Sequence, residues 1–253
     1  MKSIPFFDDR HPVRTVFTNI ADCQSHPNWQ SIETRNALLR EYLNASIGQI
    51  VYACQTHSSS VLVVTDKNVG DLGRLEEDQI LEVGGFDAMV TALPKTMLCI
   101  HTADCLPLFL YDPQKNVAAI AHCGWRGICG RIASNAIGVM AERFGSDPTQ
   151  ILAAFGPGIC EECYEVGSEL KDAFAERFST DEVESFFRPK RDGKFLLDLR
   201  KAAMRDLLRS GIRPENVHDE EICTYESKDY PSCRRVGYRI DPRMQMFSGI
   251  ALT

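Results

Sequence analysis

Two histidines and one cysteine, each in a different segment of the chain, have the residue types of an open zinc site. His57 ends the segment QTH, Cys105 lies in TADCLP and His122 lies in AHCGWRG. Catalytic zinc is typically held by three protein ligands, which leaves a coordination position for water or substrate. A structural site more often has four ligands in paired short spacings, and neither histidine lies in such a pair. The sequence therefore predicts a reactive metal centre.

Two other interpretations of these residues stay open. An isolated histidine or cysteine is usually packed or solvated, although Cys105 and His122 both fall at the ends of apolar runs, where functional side chains often emerge on loops. Cys123 could also replace His122 as the ligand. Because adjacent residues of an extended chain point to opposite faces, only one of these two side chains can face a pocket.

Composition and charge restrict the class of protein. The chain has 253 residues, 44% hydrophobic and 25% charged, enough for one large domain or two small ones. Its net charge of −7 disfavours nucleic acid, whose phosphates require clustered lysine and arginine. No stretch approaches the about 20 apolar residues that cross a bilayer, and residues 1–10 lack the apolar region of a signal peptide. We expect a cytoplasmic protein with no nucleic-acid or membrane partner.

The cysteines fit a reducing compartment. Ten cysteines in 253 residues are too few for a disulfide-stapled secreted domain, so we expect buried thiols and no disulfides. Cys160 and Cys163 have the spacing of a redox motif, but no second pair completes a zinc knuckle. The carboxylates of Glu161 and Glu162 also disfavour a thiolate between them. Packing is the favoured interpretation of this pair.

Short strands and amphipathic helices must position the candidate ligands. Apolar or β-branched runs bounded by Gly, Asp, Asn and Pro predict strands over residues 13–19, 49–54, 61–65, 97–102, 107–111, 117–122 and 151–155. Apolar residues at three- and four-residue steps predict helices over 32–43, 132–144, 168–178 and 198–209. The acidic stretch 66–85 has no apolar period, and we expect it to be an exposed, mobile excursion.

The order of these elements indicates an α+β fold. Strands and helices occur without strict βαβ repetition, which favours mixed β-sheets covered by helices. No Gly-Ser linker, internal repeat or low-complexity segment divides the chain, so we expect residues 1–253 to form a single domain. The turn GPGI at 156–159 lets the backbone approach a ligand closely.

Several motifs, in order along the chain, resemble those of the YfiH/laccase-domain family. They are QTH (55–57), DAMVT (87–91), TADCLP (102–107), AHCGWRG (121–127), GPGI (156–159), YEVG (164–167) and CTY (223–225). The resemblance spans about residues 50 to 252 and implies an α/β/β/α sandwich with zinc at His57, Cys105 and His122. It also implies phosphorolysis of adenosine, inosine and methylthioadenosine, with adenosine deaminase activity, so purine nucleoside and phosphate are the expected substrates.

Proteins of this family are also described as copper-dependent polyphenol oxidases, which is the first alternative. A multicopper laccase needs a blue-copper centre of two histidines and a cysteine, plus further imidazoles for an oxygen-reducing cluster. The chain has six histidines, and His11, His26 and His218 have no ligand-like context. These histidines do not supply the full ligand set of a multicopper laccase, so zinc is the expected cofactor. A single copper ion stays an alternative, because Cu²⁺ binds most nitrogen and sulfur sites more tightly than Zn²⁺.

Deamination and phosphorolysis each require further groups. Ammonia leaves readily only when protonated, and Asp104 is the acidic residue nearest to Cys105 for this catalytic proton transfer. Its alternative role is to cap or orient the turn. A guanidinium group matches phosphate oxygens through paired hydrogen bonds. Arg126, Arg234 and Arg235 are therefore candidates for substrate or phosphate binding, Arg126 also for catalysis, with surface solvation as the alternative.

Two further hypotheses belong to other classes of protein. A cysteine hydrolase or deamidase would use Cys105 as its nucleophile and His122 as its base, without a metal, although the charge of Asp104 opposes a low thiol pKa. A metal-binding or interaction module would bind metal without turnover.

The segments 18–23 and 229–235 depart from the family pattern, and 238–244 is also irregular. These departures leave the metal ligands intact and the preferred nucleoside open.

Overall fold

The computed structural model describes residues 1–8, 11–25, 31–43, 47–69, 80–237 and 245–253. Its strands are β1 (Val13–Phe17), β2 (Gln49–Cys54), β3 (Val61–Val64), β4 (Ile80–Gly84), β5 (Ala88–Thr91), β6 (Thr96–Thr102), β7 (Leu106–Asp112), β8 (Val117–Cys123), β9 (Leu152–Phe155), β10 (Glu165–Val166), β11 (Phe187–Pro189), β12 (Phe195–Leu197), β13 (Val217–Asp219) and β14 (Met246–Leu252). Its helices are α1 (Pro5–Asp8), α2 (Ile20–Ser25), α3 (Ile32–Leu43), α4 (Asp66–Val69), α5 (Trp125–Cys129), α6 (Ile132–Phe144), α7 (Ser168–Ala175), α8 (Thr180–Phe186) and α9 (Leu199–Arg209). Among the helices of these ranges, none has the length and apolar character to span a membrane.

Two mixed sheets form the centre of the molecule. The five-stranded sheet has the order β1-β14-β6-β2-β4, antiparallel from β1 to β6 and parallel from β6 to β4. The six-stranded sheet has the order β13-β9-β7-β8-β5-β3, with antiparallel pairs in its middle and one parallel pair at each edge. A small antiparallel sheet, β10-β12-β11, lies beside them in the chain's second half.

The alternation of side chains along β7 explains the layers. Leu108 and Leu110 belong to a buried cluster that includes apolar residues of α6 and α9. Phe109 and Tyr111 point to the opposite face and pack in a second cluster with Leu98 of β6, between the two sheets. A third cluster packs α3 against the other face of the five-stranded sheet. The order of layers is helix, sheet, sheet, helix, so the predicted α+β fold with an α/β/β/α sandwich is confirmed.

Elements with a strong local pattern have the predicted bounds. The helices over 32–43 and 132–144 and the strand over 49–54 are confirmed as α3, α6 and β2. The exposed excursion predicted over 66–85 is wrong at its end, where β4 pairs in parallel with β2. This strand lies at a sheet edge and has five residues. So short a run gives a weak periodic signal, while its pairing comes from backbone hydrogen bonds. Residues 70–79 of this stretch lie outside the described residues.

Candidate metal centre

His57, Cys105 and His122 lie together, although they come from three separate parts of the fold. His57 follows β2, Cys105 immediately precedes β7 and His122 lies near the end of β8. One donor atom from each side chain lies within 4.8 Å of the other two. The imidazole rings are 4.9 Å apart between centroids and nearly perpendicular. Because His122 is buried and His57 is exposed, this His–Cys–His centre opens to solvent on the His57 side.

The two faces of β8 decide between His122 and Cys123. Ile120 belongs to the cluster between the sheets, whereas Ala121 and Cys123 belong to the cluster under the helices. The alternation of the strand therefore places His122 toward the His–Cys–His centre and Cys123 on the opposite face. Burial raises the pKa of the Cys123 thiol well above its usual value. His122 is the candidate ligand.

A buried carboxylate, Asp87, orients both histidines. Its Oδ1 accepts a hydrogen bond of 2.8 Å from His122 Nδ1 and one of 3.1 Å from the backbone amide of His57. Its Oδ2 accepts from the backbone amides of Thr56 and Ser58 and from the Ser58 hydroxyl, at 3.1, 2.7 and 2.8 Å. With Nδ1 of His122 bound to Asp87, its Nε2 is left as the donor for a metal, an arrangement common among metal-binding histidines.

The same network holds a strained backbone. His57 has a φ of 58°, in the left-handed region that few residues other than glycine adopt. The hydrogen bond from its amide to Asp87 Oδ1 fixes this conformation in the turn after β2. Strained backbone of this kind is concentrated at functional sites and persists where the surroundings enforce it.

The electrostatics of the centre favour a thiolate beside charged imidazole when no metal is bound. Burial opposes ionisation of Cys105, but the charge of His122 and hydrogen bonds from both histidines lower its pKa to about 6. Burial would lower the pKa of His122, but the Cys105 thiolate and Asp87 raise it to about 9. Burial likewise opposes ionisation of Asp87, and hydrogen bonds from His122 and Ser58 outweigh it and lower its pKa to about 2.

Gly124, directly after β8, leaves room at the centre. A β-carbon at this position would lie 3.1 Å from Cys105 Sγ, 3.3 Å from His57 Cδ2 and 3.6 Å from His122 Cε1. All three candidate ligands therefore surround the space that a side chain would fill. Together with one thiolate and two imidazoles, this fits a metal ion that accepts sulfur and nitrogen ligands in an open coordination sphere.

Asp104 lies in the turn before Cys105 and fixes the neighbouring loops. Its φ is 94°, its side chain is buried, and its carbonyl accepts a 2.8 Å hydrogen bond from the amide of Ile159. Its Oδ1 accepts from the Thr224 hydroxyl at 2.8 Å and its Oδ2 from the backbone amide of Arg234 at 2.7 Å. Asp104 thus connects the turn that carries Cys105 to the carboxyl-terminal part of the chain.

The three predicted arginines occupy different environments. Arg126 is exposed in the first turn of α5, and its guanidinium lies 4.2 Å from the centroid of the Trp125 ring. Arg234 stacks over Tyr164 and donates from Nη1 to the carbonyl of Glu165 at 2.6 Å. Arg235 is used differently: its Nη1 donates to the carbonyls of Thr224, Tyr225 and Ser227, and its Nη2 to that of Tyr230. The guanidinium of Arg235 therefore holds a loop together.

Sequence reasoning gave no role to two residues that shape this centre. Asp87 was part of a family motif only, and a carboxylate directly before the apolar strand β5 was the signal that could have found it. Gly124 follows the ligand His122 by two residues, where close backbone approach is expected of glycine. Neither signal specifies a partner, because both residues act through segments distant in the chain.

The fold and the centre define a class: α/β/β/α sandwiches whose two sheets position an open His–Cys–His group. The sequence model of the family described as multi-copper polyphenol oxidoreductase laccase matches residues 17–250. This chain belongs to that family, and the resemblance to YfiH/laccase-domain proteins is confirmed.

Relatives of known name and structure extend the comparison. The chain is 34% identical to the protein named adenosine deaminase RL5, from an unknown prokaryotic organism, over 87% of this chain and 82% of that protein. It is 30% identical to a Bacteroides thetaiotaomicron protein named purine nucleoside phosphorylase, over 83% of this chain and 77% of that protein. The crystal structure of the Bacillus licheniformis hypothetical protein YfiH matches with a TM-score of 0.82 at 26% identity, covering 95% of this chain and 93% of that one.

Proposed function

We propose that this protein is a zinc-dependent purine nucleoside phosphorylase that acts on adenosine, inosine and methylthioadenosine and also deaminates adenosine. The observation that carries the proposal is the group of two imidazoles and one thiol within 4.8 Å, open to solvent on one side. The names of the two relatives, an adenosine deaminase and a purine nucleoside phosphorylase, support this pair of reactions.

His57, Cys105 and His122 would hold the zinc ion. Bound there, zinc would supply Lewis acidity and lower the pKa of water toward about 7, as deamination at the purine C6 requires. The chain's own contribution is preorganisation, because Asp87 fixes the tautomer of His122 and the turn that carries His57. Proton transfer to the leaving amine by Asp104 stays a prediction. It requires that the carboxylate exchange its hydrogen bond with Thr224 for one to substrate or water.

Arg126 is the favoured phosphate ligand for phosphorolysis. It is exposed, lies two residues after Gly124, and its planar guanidinium is oriented by stacking on Trp125. The guanidinium of Arg234 lies in the loop fixed by Asp104 and is the second candidate. Arg235 is the least suited of the three predicted residues, because its Nη atoms already donate to four backbone carbonyls.

Arg126→Lys tests this assignment. Lysine replaces the planar guanidinium group, which can donate paired hydrogen bonds to phosphate, by a single ammonium group. Phosphate-dependent cleavage should therefore fall more than water-dependent deamination. Rates with adenosine should be measured with and without phosphate, with Arg191→Lys, an exposed arginine on a separate loop, as the control. Equal loss of both activities would assign Arg126 to nucleoside binding or folding.

The positions of the other histidines and cysteines disfavour a multicopper oxidase. Within the described part of the chain, the other group with metal-binding geometry is Cys160, Cys163 and Cys223, which contains no imidazole. His101 lies against Arg35, with Nη1 3.3 Å from Nε2, and His218 lies 3.1 Å from a carboxylate oxygen of Glu220. These histidines are therefore engaged apart from the His–Cys–His centre. A single copper ion in that centre stays the alternative, consistent with the family's description.

A metal-independent hydrolase is the second candidate, and one observation favours it. His122 lies between the Cys105 thiol and the Asp87 carboxylate, the order of nucleophile, base and orienting acid in thiol hydrolases. This arrangement leaves His57 without a role. Cys105→His separates the two, since imidazole can bind zinc but cannot replace a sulfur nucleophile. Residual turnover that a chelator abolishes supports the metal enzyme, whereas chelator-resistant wild type and an inactive variant support the hydrolase.

The decisive experiment is incubation of protein of known metal content with adenosine, with and without phosphate, followed by chromatography. Adenine should appear only with phosphate, and inosine should appear in both reactions. Chelation should abolish both products and added zinc should restore them. If neither product forms with zinc-loaded protein, the proposed function is wrong, and polyphenol oxidation with copper-loaded protein is the next assay.

A further inference from the structure

Three thiols outside the His–Cys–His centre form a second compact group. One sulfur each from Cys160, Cys163 and Cys223 lies within 4.8 Å of the other two. All ten cysteines of the chain are free thiols, so no disulfide already explains this three-cysteine cluster. Cys223 lies 63 residues beyond Cys160, which is why the sequence showed only the Cys160–Cys163 pair.

Two chain segments meet at this cluster with fixed backbone register. Gly158 forms an isolated parallel bridge with Cys223. Its amide donates to the carbonyl of Ile222 at 3.0 Å, and its carbonyl accepts from the amide of Thr224 at 3.1 Å. Cys160 caps the start of a short helical turn, Glu161–Cys163, and Cys163 is the last residue of that turn. The three sulfurs are therefore brought together by rigid backbone on both sides.

The groups around the three sulfurs favour the negative charge that a metal-bound thiolate carries. The amide of Cys160 donates to Cys223 Sγ at 3.4 Å, and the amides of Tyr225 and Glu226 also donate to this sulfur. Backbone amides that donate to a ligand sulfur stabilise its anionic form. The carboxylates of Glu161 and Glu162, which on sequence grounds opposed a thiolate here, both pair with one arginine, Arg188.

The spacing suits tetrahedral zinc. A Zn–S bond of about 2.3 Å places two sulfur ligands about 3.8 Å apart, and a Zn–O bond of about 2.0 Å places sulfur and oxygen about 3.5 Å apart. The sulfurs lie within 4.8 Å, and Glu226 Oε1 lies 3.8 Å from Cys163 Sγ. Shifts of about 1 Å or less would give the three sulfurs this spacing, whereas Glu226, which contacts Cys163, would have to move farther to reach all three.

We infer that Cys160, Cys163 and Cys223, with Glu226 as the fourth ligand, bind a second zinc ion with a structural role. Four protein ligands leave no position for substrate, which distinguishes this site from the His–Cys–His centre. The zinc joins the loop after β9 to the segment after β13. Residues of both segments hydrogen-bond to Asp104, namely Ile159 and Thr224. The second site therefore stabilises the turn that carries Cys105.

Elemental analysis of the full-length protein tests the inference. Wild type should contain two zinc ions per chain and Cys163→Ser one, while Cys54→Ser, a control at an exposed cysteine, should keep two. Turnover of adenosine by Cys163→Ser should fall by less than about 10-fold, because the substrate-facing ligands are intact. Wild type with one zinc that Cys163→Ser retains would overturn the inference. A failure of the proposed function appears separately, as missing turnover at any zinc content.

A second measurement uses cobalt as a spectroscopic probe of the intact cluster. In His57→Ala/Cys105→Ala, which lacks the thiolate of the His–Cys–His centre, one equivalent of Co²⁺ should give intense thiolate-to-cobalt absorption bands and a tetrahedral d–d spectrum. Adding Cys223→Ser should weaken these bands. Absence of thiolate bands would overturn the inference. So would a disulfide between two cluster cysteines, detected as a mass 2 Da below that of the reduced chain and located by peptide mapping.

Discussion

The His–Cys–His centre and the three-cysteine cluster contain the same nucleophilic group, the thiol, in different electrostatic surroundings. In the first, two imidazoles outweigh burial and lower the pKa of the Cys105 thiol to about 6. In the second, burial and neighbouring sulfurs raise the pKa of the Cys163 thiol far above its usual value, while hydrogen bonds from backbone amides outweigh burial and lower the pKa of Cys223. Cys105 therefore favours the thiolate before a metal arrives, whereas Cys160 and Cys163, whose pKa values are raised, must lose protons as metal binds. Similar spacing therefore does not imply similar reactivity.

The supports of the two groups differ as well. Asp87 fixes the His–Cys–His centre through one buried carboxylate that accepts from a ring nitrogen, three amides and a hydroxyl. The three-cysteine cluster is fixed by paired backbone, at the bridge between Gly158 and Cys223. A single carboxylate can be removed by mutation, but backbone pairing cannot. Substitutions near the two groups should therefore have effects of different size.

The largest effect is expected from removing ligands of the His–Cys–His centre. His57→Ala, Cys105→Ala and His122→Ala each remove one of three ligands, so each should lose one zinc ion and more than about 100-fold of adenosine turnover. Cys163→Ser should keep most turnover while losing the other zinc. Zinc content and initial rates decide this. Retention of both zinc ions by all three alanine variants would contradict the proposed centre.

Asp87→Asn should have the next largest effect, confined to the His–Cys–His centre. Loss of the carboxylate that orients His122 should weaken zinc binding there by about 10- to 100-fold. Competition with a chromophoric chelator measures this. The control is Asp112→Asn, another fully buried carboxylate, which accepts hydrogen bonds from the amides of Gln114 and Lys115 in its own turn. Equal weakening by both variants would mean that Asp87 acts through general stability.

Gly124→Ala should weaken zinc binding measurably, by up to roughly 10-fold. The new methyl group would lie 3.1 Å from Cys105 Sγ and 3.3 Å from His57 Cδ2, so the ligands must move by a few tenths of an ångström. Gly138→Ala in α6 is the matched control, because its new methyl would meet nothing within 4 Å. It should raise the free energy of unfolding by about 1 kcal/mol. Unchanged zinc affinity in Gly124→Ala would show that the centre tolerates crowding.

The smallest and most diagnostic effect is the pH dependence of thiol alkylation in metal-stripped protein. Thiolate forms as pH rises through the thiol pKa, so alkylation of Cys105 should be half-maximal near pH 6. Cys163, whose pKa is raised, should react only at distinctly more alkaline pH. Iodoacetamide pulses between about pH 5 and about pH 9, followed by peptide mass mapping, measure both. Alkylation of the two cysteines over the same pH range would remove the electrostatic distinction between the groups.

Sequence patterns predicted the elements that carry long local signals. The apolar steps of α6 and its stop at Gly145, which adopts a left-handed conformation, are readable from neighbouring residues. The edge strand β4 was missed because its stability comes from pairing with β2, about thirty residues earlier in the chain. Short strands depend on partners that a local window does not contain.

The roles of charged residues likewise divide into what the local sequence indicates and what contacts between distant segments decide. Asp104 and Arg235 were recognisable as chemically capable from their types and motif positions. Their hydrogen bonds, to Thr224 and the Arg234 amide in one case and to four carbonyls in the other, appear only in the folded chain. A carboxylate or guanidinium can serve a substrate or the protein's own backbone, and its neighbours in space decide which.

The sequence by itself determined the donor types of the metal centre, the α+β class and the family. Side-chain chemistry is a property of single residues, and helix or strand periodicity is a property of short segments. Only the tertiary structure decided that His122 rather than Cys123 faces the centre, that Asp87 supports it, and that Cys223 completes a second group. These facts depend on distances between segments far apart in the chain. Such distances are set by how sheets and loops pack, which no local pattern of residues records.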